Sequence, residues 1–263
     1  MELKKRLLGS IYFKTLSLIN QEKKLLFYIV IMDIFFIASL FILQFIFNSL
    51  SFAPITRQQT YFLLFLVIIY YLIFLFLYSF FKHIVLFFVK SILDKKSLKL
   101  LFDRIGKFYL LNIILFLTLF LVFFVLSLLA ASVQEGIAPF VSLLILSLYS
   151  VFAYACVNMS HVLFYEGKSL VESLRVGTKF LTKFNKYYGV YLTIIFAFAI
   201  VFLLFTVFGN VLNYTVFQDS NALLQYGNVY TMAFTYAVGI IFYIGILFNR
   251  FYFYNILKEK FLK

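Results

Sequence analysis

Several residue types are nearly missing from this 263-residue chain, and each shortage removes a class of protein. One cysteine, Cys156, rules out a disulfide within the chain, and with only two histidines there is no Cys/His cluster at metal-ligand spacing. Acidic residues are scarce: ten Asp and Glu stand against 23 Lys and Arg, for a formal net charge of +13. No Ser/His/Asp set, glycine-rich phosphate loop or HExxH string is present, and no cofactor is implied. The expectation is a protein that is not an enzyme and holds no metal. Nor does the positive charge describe a nucleic-acid binder, because the basic residues are dispersed among the ends of apolar runs. Tryptophan is absent and proline occurs twice, neither time inside a long apolar run.

What is present is hydrocarbon. Hydrophobic residues make up 65% of the chain, charged residues 13%, and the mean hydropathy is +1.04. A soluble domain has about 45–50% apolar and about 25% charged residues. The chain therefore reads as all-α, a polytopic membrane helix bundle forming one domain over 1–263. Six runs approach the roughly 20 residues that a helix needs to cross a bilayer: 25–48, 60–81, 108–131, 139–165, 187–208 and 229–249. Lys4, Lys5 and Arg6 resemble a leader, but the first apolar run begins only at Leu25 and has no small-x-small site before Asn48. It is expected to be a retained span, preceded by a surface helix over 1–24.

Charge gives the orientation. Six Lys/Arg lie in 1–24, seven in 82–107, five in 166–186 and four in 250–263, which leaves Arg57 alone on the other side. With six spans all four basic segments share one face, and the positive-inside rule makes that face cytoplasmic, both termini included. The expected location is the cell membrane. Lys24, Lys107 and Lys186 precede the first, third and fifth runs, each followed by a tyrosine (Tyr28, Tyr109, Tyr188). Three parallel hairpin repeats fit that pattern. So does the general habit of membrane hairpins to carry Lys and Tyr at their cytoplasmic edge.

The chain is organised around 165–189. There Lys168, Glu172, Arg175, Lys179, Lys183 and Lys186 form one helical stripe, and Leu170, Leu174, Gly177, Leu181 and Phe184 form the opposite one. This predicts an amphipathic surface helix over 168–186, with Ser169 and Glu172 at capping-box spacing. Glu166 and Arg175 are expected to pair across the turn that Gly167 allows. A second amphipathic stretch, a surface helix over about 91–106 in the basic island 90–107, carries Lys96 and Lys99, with Lys107 just after it. Those three, with Lys168, Lys179, Lys183 and Lys186, are candidate ligands for anionic lipid headgroups.

The same stretch carries a resemblance. Tyr165-Glu166-Gly167, Ser169-Leu170, Glu172-Ser173-Leu174-Arg175, Gly177, Phe180 and Tyr187-Tyr188-Gly189 resemble a signature of six-span membrane proteins. These include the membrane domain found beside glycerophosphodiester phosphodiesterase and similar uncharacterised bacterial and archaeal families. The likeness covers about 25 residues and lacks the tryptophan often found near the start of the next span. It implies a six-span fold, a membrane location and a link to phospholipid or envelope metabolism.

Among the polar residues within the apolar runs, Asp33, Asn112, Asn158 and His161 are the candidates for a site. An acid at mid-span should face the bundle interior and have a partner. The four are read either as a polar pocket or proton-linked site, or as a protonated or hydrogen-bonded Asp33 that fixes helix packing; the second is favoured. His83 reads as an interface residue at headgroup level, Cys156 as packing, and Asn213-Tyr214-Thr215 as a sequon on the outer side. The expected function is a non-catalytic membrane module that binds membrane lipids through anionic headgroups, or binds a membrane-protein partner. The alternative is a small transporter or lipid-handling protein with a polar cavity around Asp33.

Overall fold

The structure, a computed structural model, describes residues 11–50, 56–94, 104–132, 138–180, 195, 199–209 and 220–260. All regular structure among them is helical. In chain order the helices are α1 (Ile11–Gln21), α2 (Lys23–Leu50), α3 (Arg57–Asp94), α4 (Ile105–Ala131), α5 (Ala138–Tyr165), α6 (Leu170–Phe180), α7 (Ala199–Gly209) and α8 (Ser220–Lys260). Five are long and apolar enough to cross a membrane: α2, α3, α4, the Leu144–Tyr165 part of α5 and the Gly227–Lys258 part of α8. Half of the fifth run expected from the sequence, 187–208, lies outside the described residues; its described end belongs to the apolar helix α7.

Two helices outrun their apolar cores. α3 continues to Asp94 because Ile84–Val89 is apolar again and neither Gly nor Pro interrupts it. α8 spans 41 residues, where the sequence suggested 229–249, and residues 220–228, expected as loop, are its first turns. Polar residues of moderate helix propensity do not break a helix. The proposed surface helix over 91–106 lies chiefly outside the described residues; its two ends belong to α3 and α4.

The chain forms two compact units, 16–182 and 1–15 with 183–263. In the larger unit α2 and α3 form an antiparallel hairpin held by aromatic pairs: Tyr28 with Phe88, Phe36 with Tyr78 and Phe81, and Phe47 with Tyr70. α4 returns against α3 through Tyr71–Phe116 and Phe76–Tyr109, and the Tyr109 hydroxyl donates to the Leu72 carbonyl at 3.0 Å. α5 lies along α4, with the Tyr149 hydroxyl donating to the Leu119 carbonyl at 2.7 Å. Pro139 sits in the first turn of α5, where its missing N–H costs no intrahelical bond. α5 is the least apolar of the five long helices and the most enclosed. In the other unit Phe205 of α7 packs on Tyr230 and Phe234 of α8, and the Asn255 side chain donates to Thr15 Oγ1 at 2.8 Å.

Outward-facing side chains such as Phe41, Phe45 and Leu121 are largely exposed. In water so many exposed apolar side chains would be unfavourable. In a bilayer they form the surface that acyl chains cover, while each helix satisfies its own backbone.

Candidate functional site: a polar layer and a docked surface helix

Helical spacing places one polar face on each of three helices. Phe108, Leu111, Asn112 and Leu115 form the buried face of α4. Asn158, His161 and Tyr165 follow one another on α5 at steps of three and four, as do Ser79, His83, Leu86 and Lys90 on α3. Where these faces meet, the Asn112 amide nitrogen donates to Ser79 Oγ at 2.9 Å and to the Phe108 carbonyl at 3.0 Å. Its Oδ1 is therefore the acceptor facing His161 Nε2 at 2.7 Å, so that nitrogen carries the imidazole proton. Ser79 in turn donates to the Leu75 carbonyl. A second link runs beside the first. Lys82 Nζ donates to Asn158 Oδ1 at 3.3 Å, and the Asn158 amide donates to the Tyr154 carbonyl at 2.8 Å.

The structure thus joins Asn112 directly to His161 and ties Asn158 to a cation on α3. Asp33 is 8% exposed and lies on the inner face of α2 with Ile29 and Leu43. Ser79 and Lys82 are the members of this layer that the sequence reading left out. The available signal was the spacing 75, 79, 82, 86, which continues the inner face of α3 past the end of the apolar run at 81. His83 needs correction. It is 2% exposed, inside the bundle, with its ring against Phe108 and Tyr165 and its backbone carbonyl accepting the Tyr165 hydroxyl. It sits inside because α3 runs on as helix and carries residue 83 round to the same face as Ser79. Cys156 is buried in the cluster of Leu86, Phe108, Leu111, Leu115 and Phe164.

Toward the end of α5 the chain turns through three backbone bonds. Glu166 N–H donates to Val162 O, Gly167 N–H to Phe164 O and Lys168 N–H to Leu163 O. Gly167 has φ +91°, which completes a Schellman-type stop that glycine adopts without strain. Lys90 Nζ clamps this turn, donating to the Tyr165 carbonyl at 2.9 Å and pairing with Glu166 at 3.4 Å. Arg175, the partner expected for Glu166 from the sequence, is exposed on α6.

Ser169 Oγ accepts the Glu172 N–H at 3.2 Å and starts α6. The helix then docks by one face. Ser173 and Gly177 are buried, and a Cβ placed on Gly177 would lie 3.2 Å from Ser160 Cβ and 3.3 Å from its Cα. Small side chains let the two backbones approach there. Leu170 and Leu174 pack on the Cys156–Phe164 cluster. On the other side Glu172, Arg175 and Lys179 are exposed, with Lys168 and Glu172 paired at 2.9 Å. Lys107 is exposed near the start of α4. Lys96, Lys99, Lys183, Lys186 and the sequon lie outside the described residues.

A cavity of about 390 Å³ opens among α3, α4 and α5. It is lined by Phe74, Tyr78, Leu115, Phe123, Tyr149 and other residues, with Asn112 as its link to the polar layer. Among the described residues no group of three His, Cys, Asp or Glu could hold a metal ion.

Fold and composition together define an all-helical, multi-pass membrane protein. Compared with known proteins, the chain matches no family model, no curated sequence and no solved structure.

Proposed function

We propose that this protein is a non-catalytic six-span module of the cell membrane that gathers anionic lipid headgroups on its cytoplasmic side. In this reading both termini are cytoplasmic, and 187–208 supplies the sixth span. The observation that carries it is the docking of α6. That helix is held against α5 through Ser173 and Gly177, which leaves Arg175 and Lys179 presented outward from a fixed support. Basic side chains beside a membrane surface each attract anionic lipid by about 1 kcal/mol. Exposed Lys107 adds a cation on α4. The resemblance of 165–189 to the membrane domain beside glycerophosphodiester phosphodiesterase points the same way, toward phospholipid.

A second reading, a lipid-handling protein or small transporter, draws on the cavity of about 390 Å³ that reaches Asn112. It ranks lower because the five described spans are unbroken helices, whereas transporter sites are typically built from interrupted ones. Native mass spectrometry after gentle detergent extraction separates the two. Retained anionic phospholipid, lost in an Arg175→Gln/Lys179→Gln variant, supports the first. A small solute retained in wild type and in that variant, with no headgroup preference, supports the second and sinks the first.

A further inference from the structure

We propose that Asp33 and Lys82 form an ion pair, completed by Asn158, that holds α2, α3 and α5 together at one depth in the membrane. This goes beyond the headgroup reading and does not depend on it.

The argument rests on the register of the α2/α3 hairpin. Its rungs are independent: Tyr28 stacks on Phe88 at 5.8 Å, Phe36 touches Phe81 at 5.7 Å and Tyr78 at 6.2 Å, and Phe47 meets Tyr70 at 4.6 Å. The Tyr70 hydroxyl also donates to Gln44 Oε1 at 2.8 Å. The helices are antiparallel, so three residues back from Phe36 on α2 corresponds to three residues forward from 78–81 on α3. Asp33 is therefore level with residues 81–84, and Lys82 is the cation in that window. Asp33 faces inward, four residues from fully buried Ile29. Helix axes in contact are about 8–10 Å apart, a gap that a four-carbon lysine stem spans.

Chemistry supports the assignment. A carboxylate and an ammonium buried separately in hydrocarbon are each strongly unfavourable. At one level they neutralise each other, and the Asn158 carbonyl takes one of the ammonium's three donors. His161, the other titratable group in this layer on α5, already donates from Nε2 to Asn112 and is left with an acceptor at Nδ1. The consequence is directional. The pair fixes the hairpin register and keeps the first hairpin close to charge-neutral where it crosses the bilayer.

The test is a charge cycle in the full chain, carried as a fluorescent-protein fusion and read as the fraction of monodisperse protein surviving heating. Asp33→Asn leaves the half-buried Lys82 charge unmatched, Lys82→Met leaves the buried Asp33 charge unmatched, and each should lose most of that fraction. The neutral double Asp33→Asn/Lys82→Met should recover much of it, and the reversed pair Asp33→Lys/Lys82→Asp should recover part. Losses that simply add in the double variant, or an Asp33→Asn variant as robust as wild type, overturn the pair. A proximity test needs no stability difference. In a Cys156→Ser background, Asp33→Cys with Lys82→Cys should be joined by a short bis-maleimide in native membranes, within one chain. Failure to cross-link, while Phe36→Cys with Phe81→Cys does, also overturns it.

Discussion

Asn112 is the residue on which the polar layer turns, because its amide serves three helices at once. It accepts from His161 of α5, donates to Ser79 of α3 and returns a bond to its own Phe108 carbonyl. Asn112→Leu keeps the volume but leaves the His161 N–H without its acceptor in a dry interior. The expected loss is about 1–2 kcal/mol, visible as a lower melting temperature in detergent. Adding His161→Phe should cost less than its own separate effect, because the orphaned donor is then gone; additive losses would mean that the two do not act as a pair. At this scale part of the site was readable in advance. Asp33, Asn112, Asn158 and His161 stand out as polar letters in apolar runs. Their partners did not stand out. Lys82 looked like the end of a span, and Ser79 is a residue that any membrane helix tolerates through a bond to its own backbone, as it makes here to Leu75.

Helix α6 shows what one element contributes. Its stop-and-start depends on Gly167 in the left-handed region, on the Lys90 clamp and on the Ser169 cap. Its docking depends on Gly177 meeting Ser160 without a side chain between them. Gly177→Val should push the helix off α5 at a cost of about 1–3 kcal/mol. The readout is limited trypsin digestion: cleavage after Arg175 and Lys179 should become faster than in wild type, while the spans stay intact. Unchanged digestion would mean that α6 is not held at this crossing. Periodicity alone predicted an amphipathic helix here, with its leucine stripe against either acyl chains or the bundle. Packing settled its docking: Leu170 and Leu174 lie on the Cys156–Phe164 cluster, and the closest approach puts Gly177 of the apolar stripe against Ser160, which no hydrophobic pattern marks.

At the scale of the whole molecule, the prediction concerns sides. In a Cys156→Ser background, a cysteine at 219 should react with an impermeant maleimide in intact cells, and a cysteine at 175 only after the membrane is opened. The reverse pattern would overturn the six-span orientation and the headgroup reading with it. That prediction needs no tertiary information. Run length and the one-sided sorting of Lys and Arg are properties of the chain read in one dimension, since the bilayer acts on each helix by its own hydrocarbon length and flanking charge. So the all-helical, multi-pass class was determined by the sequence itself. The depth at which polar residues meet, the partner of Asn112 and the cation at Asn158 were decided only by the tertiary structure. The reason is physical: every span is apolar on most sides, so hydropathy says little about which face turns inward, and only packing against a neighbouring helix selects it.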